Sequence, residues 1–83
     1  MNNNTLDNKI IKLLSETFFV DPGKINEKTS MDNIKNWDSL KHMTLVLTLE
    51  EHFNIKFTGE EIIQMDNFAS IKKCIIKKIK IND

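Results

Sequence analysis

The stretch Trp37-Asp38-Ser39-Leu40 is the part of this sequence best suited to chemistry. Ser39 offers a hydroxyl beside a carboxylate, just ahead of an apolar periodic segment that reads as a helix. A serine in that position is exposed at the positive end of the helix, where free backbone N–H groups favour a negative phosphate. It is a fitting place for a covalent phosphodiester, because a corner between loop and helix leaves the hydroxyl open to a modifying enzyme. Asp38 would support such a modification by helping to hold a divalent cation, since magnesium prefers carboxylate and phosphate oxygens. A plainer reading stands beside this one, with Asp38 as a helix cap and nothing more. A nucleophilic Ser39 is a poor idea: the glycines of a nucleophile elbow are absent, and a small bundle has no room for an oxyanion hole.

The other reactive residue types are isolated. His42 and His52 lie ten apart, roughly 80° apart round a helix, and neither has a ligand partner at metal-binding spacing. They read as two surface histidines, and no metal is expected. Cys74 falls on the apolar stripe of the last helix and reads as packing rather than reactivity. Trp37 reads as an anchor that packs a loop onto the bundle.

Four helical segments must position these residues. The first runs from about Thr5 to Phe19, with Leu6, Ile10, Leu13, Leu14 and Phe18 on one stripe and Asn4 or Thr5 as cap. Asp21-Pro22-Gly23 stops it. Residues 20–38 form a long connection punctuated by Val20, Ile25, Met31, Ile34 and Trp37, which predicts a loop pinned onto the bundle by its own side chains. The second helix starts at Asp38 or Ser39 and ends near Phe53. Leu40, Met43, Val46, Leu47, Leu49 and Phe53 give it a broad apolar face, with Lys41, Thr44, Thr48 and Glu51 opposite. Thr58-Gly59-Glu60-Glu61 fits a capping box and opens a short third helix that ends near Met65. Ser70 is the expected cap of a fourth helix, which buries Ile71, Cys74, Ile75 and Ile79 and turns its lysines to water. The expected fold is all-α: a small four-helix bundle of three longer helices and one short one, with a long loop between the first two. Two glycines and one proline leave few hairpin signals.

Composition narrows the function classes. At 83 residues the chain, residues 1–83, makes one small domain with no depth for an enclosed active site. An apolar fraction of 40% with 29% charged residues is that of a folded soluble domain rather than a disordered one. No apolar run approaches the ~18 residues of a membrane span, and Met1-Asn2-Asn3-Asn4 does not resemble a secretory leader. A single cysteine fits a reducing cytoplasm. Net charge is zero but uneven. Residues 36–69 carry six acidic residues against Lys41 and Lys56, whereas residues 70–83 carry five lysines against Asp83. There is no arginine, the usual reader of phosphates and base edges, so the basic tail reads as a solvated helix face and no nucleic acid is expected.

Taken together, Asp38-Ser39-Leu40, Leu45-Val46 and Leu49-Glu50-Glu51-His52-Phe53 resemble the signature of the acyl carrier proteins. So do Asp21-Pro22 with Thr29-Ser30 upstream, Thr58-Gly59-Glu60-Glu61 at the third helix and Phe68-Ala69-Ser70-Ile71 at the entry to the fourth. The resemblance covers about residues 6–80. It implies a bundle of the acyl-carrier type, with Ser39 as the attachment point of a phosphopantetheine arm and Asp38 in support. A phosphopantetheinyl transferase would install the arm from coenzyme A, and the arm's thiol would carry the acyl group as a thioester. The protein itself would be no enzyme; it would work as a cytoplasmic monomer that meets acyl-loading and acyl-transferring enzymes, in fatty acid synthesis or a specialised pathway. Docking to them would fall to Leu40, Lys41, Met43, Thr44, Leu47, Glu51, Glu60 and Ile62. Met43, Leu47, Ile62, Met65 and Ile71 would line an interior shelter for a modest acyl chain.

The chain departs from that family in charge. Carriers of bulk fatty acid synthesis are strongly acidic along the second helix, whereas Lys41 and His42 follow the serine here, with Thr44 and Thr48 further on and Trp37 in place of a small residue. Electrostatic steering sets which partners dock, so these changes point to a secondary carrier dedicated to a specialised pathway. A free-standing peptidyl or aminoacyl carrier shares the same arm and fold. An unmodified helical interaction module and a nucleic-acid-binding bundle using Lys72 to Lys80 are the rivals from other classes.

Overall fold

Apolar residues at three- and four-residue spacing fold as that spacing predicts. The computed structural model describes residues 3–81, with side chains described for 5–79. The helices are α1 (Asn3–Phe18), α2 (Ser39–Phe53), α3 (Gly59–Gln64) and α4 (Phe68–Ile81), with a 3-10 turn at Pro22–Lys24. Ile10, Leu13, Leu14 and Phe18 of α1 pack against Leu45, Val46 and Leu49 of α2 and against Phe68, Ile71 and Ile75 of α4 in one core. Each large side chain so buried contributes about 1.5–3 kcal/mol.

The helix ends show the local chemistry. Helix α1 already runs through Asn4 and Thr5, so neither is its cap; adding a turn to an existing helix gains hydrogen bonds without needing a capping side chain there. It closes at Phe19, whose φ of 58° is left-handed. The Val20 N–H then donates to the Ser15 carbonyl at 3.2 Å, the bond that ends many helices. Helix α2 ends in the same manner at Asn54, with φ 57°. The capping box of α3 forms as the sequence predicts, Thr58 and Glu61 each accepting from the other's backbone N–H. The start of α4 differs from expectation. Asn67, not Ser70, is the cap: its side-chain oxygen accepts from the Ser70 N–H at 2.8 Å, which draws Phe68 into the first turn and buries it.

The long loop is pinned as expected, by buried Ile25, Ile34 and Trp37, and also by buried Thr29. It reaches the α3–α4 connection through two backbone bonds, Met31 N–H to the Asp66 carbonyl at 2.8 Å and Phe68 N–H to the Thr29 carbonyl at 2.9 Å. These form an isolated bridge between Ser30 and Asn67, and among the described residues no strand grows from it.

Two apolar faces are narrower than their sequences suggest. On α2 only Leu45, Val46 and Leu49 are buried, while Leu40, Met43 and Leu47 are exposed. A helix can turn only one stripe toward its neighbours, and the stripe facing α1 leaves the other residues on the solvent side. On α4, Cys74 is half-buried and Ile79 is exposed, because the six residues of α3, which lie beside Cys74 through Glu61 and Gln64, cover that stripe only in part.

Ion pairs fasten α4 to its neighbours: Lys72 to Asp7 of α1 at 2.8 Å, and Lys78 to Glu61 of α3 at 2.9 Å. Two lysines of the basic tail are therefore engaged in holding the bundle together. The bond from the Thr58 backbone N–H holds the Glu61 carboxyl below its usual range; partial burial opposes this, and Lys78 adds to the lowering. A carboxyl depressed in the fold stabilises it above the unfolded carboxyl pKa, and that stability is lost as pH falls through the folded value. We therefore expect thermal stability to fall on acidification through the carboxylate range. The fall should be smaller in Glu61→Gln, whose amide oxygen still accepts from Thr58 but carries no charge, as melting curves over a pH series would show.

Candidate functional site

Ser39 is the first residue of α2, and its side chain is exposed. Asp38 makes it so. Its extended backbone (φ −107°, ψ −175°) turns the chain into the helix, and its carboxylate accepts from the Lys41 N–H at 2.9 Å. The first helical bond runs from the His42 N–H to the Asp38 carbonyl at 2.8 Å. The N–H groups of Ser39 and Leu40 have no carbonyl within the helix to bond, so the positive end of α2 is directed at the serine's surroundings.

Behind this exposed hydroxyl the chain is anchored by rings. Trp37 is 3% exposed and stacks on Phe18, with ring centroids 4.8 Å apart, and it meets His42 edge to edge, with ring centroids 6.1 Å apart and the two planes 25° from coplanar. Its indole N–H donates to Nδ1 of His42 at 2.9 Å. An indole nitrogen can only donate, so Nδ1 must accept and the imidazole proton sits on Nε2. That Nε2–H donates to the Ile62 carbonyl at 2.7 Å. A line of hydrogen bonds thus joins the end of the loop, the first turns of α2 and α3, each bond worth about 1 kcal/mol net. Asn36 adds a tie by donating to the Phe18 carbonyl at 3.1 Å, covering an open end of α1.

His42 is therefore not the surface histidine that its isolation suggested. Its place was readable: it stands three residues ahead of Leu45 and four ahead of Val46, on the stripe that α2 buries. His52 does lie on the surface, edge-on to Phe53. Cys74 is half-buried, and burial above all, with Glu61 adding, pushes its thiol pKa up and away from reactivity. Among the described residues no group of three histidines, cysteines or carboxylates could hold a metal ion, and no helix is long and apolar enough to cross a membrane.

The surface beside Ser39 is apolar in a way that single-helix reasoning half captured. Leu40, Met43, Thr44, Leu47 and Glu51 are all exposed on α2, and Glu60 is exposed on α3. Ile62 is partly buried, whereas Ile63, which the sequence reading passed over, is 77% exposed. Of the five residues expected to line an interior shelter, Met43 and Leu47 face solvent and cannot do so; Met65 and Ile71 are wholly buried in the core. Lys41 is half-buried and lies over the exposed ring of Phe19, 5.0 Å from its centroid, another neighbour of the site that the sequence did not announce. A surface groove of about 610 Å³ lies along the second half of α2, lined by Leu47, Glu50, Glu51, Asn54, Ile55, Lys56 and Lys78; it takes in Leu47 and Glu51 of the exposed strip but not Ser39.

No protein-family model matches the chain. Individual proteins do. The acyl carrier protein of Chlamydia caviae is 31% identical over 67 residues, covering 81% of this chain and 87% of that protein. The chain belongs to the acyl carrier protein family. The acyl carrier proteins of Thermosynechococcus vestitus and Guillardia theta extend the likeness, at 27% and 28% identity over 79 residues, 95% of this chain and 98% of each relative. Among solved structures, the holo acyl carrier protein of Geobacter metallireducens superposes with a TM-score of 0.82 at 29% identity, over 92% of this chain and 87% of that one. The acyl carrier protein of Thermotoga maritima gives 0.81 at 24% identity, over 96% and 93%, and speaks for the helical fold alone.

The cap can be separated from the serine it presents. Asp38→Ala should destabilise the fold by about 1 kcal/mol, since the Lys41 N–H loses its partner, and Asp38→Asn should recover most of that loss. Ser39→Ala, at an exposed position, should stay within about 0.5 kcal/mol of the wild type. Urea unfolding of the three variants reads both effects.

Proposed function

We propose that this chain carries acyl groups as thioesters on a phosphopantetheine arm attached through Ser39. The carrying observation is the placement of an exposed serine as the first residue of a capped helix, in a chain with the acyl carrier fold and family. As a member of that family the chain is a carrier of acyl groups and not a catalyst. When attached, the arm supplies the thiol that forms the thioester.

The residues at the site fit a phosphodiester. The Ser39 hydroxyl is accessible to a transferase. The free N–H groups at the head of α2 complement the phosphate charge. Asp38 has one carboxylate oxygen on the Lys41 N–H, and its second is available to a metal ion brought by the transferase together with coenzyme A. Trp37 and Asn36 hold the approach of the loop fixed, so the arm swings from a rigid point. The exposed strip Leu40, Met43, Thr44, Leu47 and Glu51, with Glu60 and the edge of Ile62 on α3, is the surface we assign to partner enzymes: the phosphopantetheinyl transferase first, then enzymes that load and transfer acyl groups. Lys41 at its head gives that strip a positive start, which favours partners other than those selected by a wholly acidic helix. We accordingly read the chain as a secondary, pathway-specific carrier that works as a monomer in the cytoplasm. Lys72 and Lys78 are held in ion pairs with Asp7 and Glu61, which counts against a nucleic-acid role for α4.

The test is an intact-mass measurement before and after incubation with coenzyme A and a broad-specificity phosphopantetheinyl transferase. The wild type should gain one phosphopantetheine, or arrive already carrying it, and Ser39→Ala should gain none. No gain in the wild type would reduce Ser39 to the first residue of a capped helix and the chain to an interaction module.

A further inference from the structure

Ser39 heads α2, so cargo carried on it lies beside the seam between the first turns of α2 and α3. That seam is where Trp37, His42 and the Ile62 carbonyl form their line of hydrogen bonds. We infer that this line keeps the seam shut and holds the cargo outside the core, so that the chain suits a short or polar acyl group rather than a long hydrocarbon one. The inference rests on the reading of Ser39 as the attachment point.

The space behind the first turn of α2 is already filled. Trp37 is stacked on Phe18 and joined edge to edge with the imidazole of His42, and Leu45, Met65 and Ile71 in the same core have no exposed surface. Moving α3 away from α2 would take the Ile62 carbonyl from the Nε2–H of His42 and leave a part-buried donor unsatisfied. Driving an acyl chain past Trp37 would expose indole surface while burying methylenes, so apolar burial would be exchanged rather than gained. Nothing balances the lost bonds in that exchange. His42 is thus a positioning residue: it acts on α3 and on the cargo's route.

The experiment loads Ser39 with acetyl- and octanoyl-phosphopantetheine from the matching coenzyme A thioesters and compares the two proteins. One readout is the set of backbone amide signals of Leu45, Met65 and Ile71, with the indole N–H of Trp37; the other is the rate at which hydroxylamine cleaves each thioester. In the wild type the octanoyl form should show the same core and indole signals as the acetyl form, and its thioester should be cleaved at the same rate. His42→Gln should behave alike, because its amide oxygen can accept from Trp37 while its NH₂ donates to Ile62. Trp37→Ala, which empties the space, should let octanoyl shift the core signals and slow cleavage. Octanoyl-dependent core shifts and slowed cleavage in the wild type would overturn the inference, whatever the fate of the Trp37 variant. If the attachment reading itself were wrong, the loading step would show no gain in mass, an outcome that removes both claims and is distinct from a loaded protein with buried cargo.

Discussion

Trp37 lies between Phe18 of α1 and His42 of α2 with only 3% of its surface exposed, and most of the architecture follows from that packing. A large ring buried in a loop fixes the residue that follows it. Asp38 is thereby set in the extended geometry that an N-cap needs, and Ser39 becomes the first residue of α2 with its hydroxyl outward. The indole N–H must also find an acceptor once it is buried. His42 supplies one, and in doing so is committed to donate to the Ile62 carbonyl. A single packing decision therefore determines where the loop ends, where α2 begins and how α3 is held.

The short helix α3 shows why such ties matter. Six residues cannot sustain a helix in water by propensity, since nucleation is unfavourable and few bonds follow it. Helix α3 persists because each part of it is held from outside: the Thr58–Glu61 capping box at its start, the Glu61–Lys78 ion pair to α4, and His42 on the carbonyl of Ile62. The element that His42 ties to the head of α2 is thus also the one that depends most on tertiary contacts.

Much of this was legible in the sequence, for identifiable reasons. The stripes of α1, the Asp38 cap, the Thr58 capping box and the pinned loop all rest on local rules of spacing and capping, which act over a few residues. What escaped depends on packing between elements. The apolar residues of α2 cover more than one face, and only the position of α1 decides that Leu45, Val46 and Leu49 go inward while Leu40, Met43 and Leu47 stay out. Asn67 outcompetes Ser70 as the cap of α4 because the loop bridge at Ser30 and Asn67 draws the helix start back. The bond between Trp37 and His42 joins residues five apart on either side of a helix start, a spacing that no helical or strand periodicity singles out. At the candidate site, Ser39 and Asp38 were readable, whereas the ring cluster behind them and the Phe19–Lys41 contact beside them required three-dimensional placement.

The central claim is that Ser39 bears the arm in the working protein, and the most direct measurement is peptide-level mass spectrometry of the chain purified from its own cells. The account predicts that the peptide spanning Trp37-Asp38-Ser39-Leu40 carries one phosphopantetheine, with fragmentation placing it on Ser39. An unmodified peptide throughout the purified population, or an arm found on Ser15, Ser30 or Ser70 instead, would contradict it.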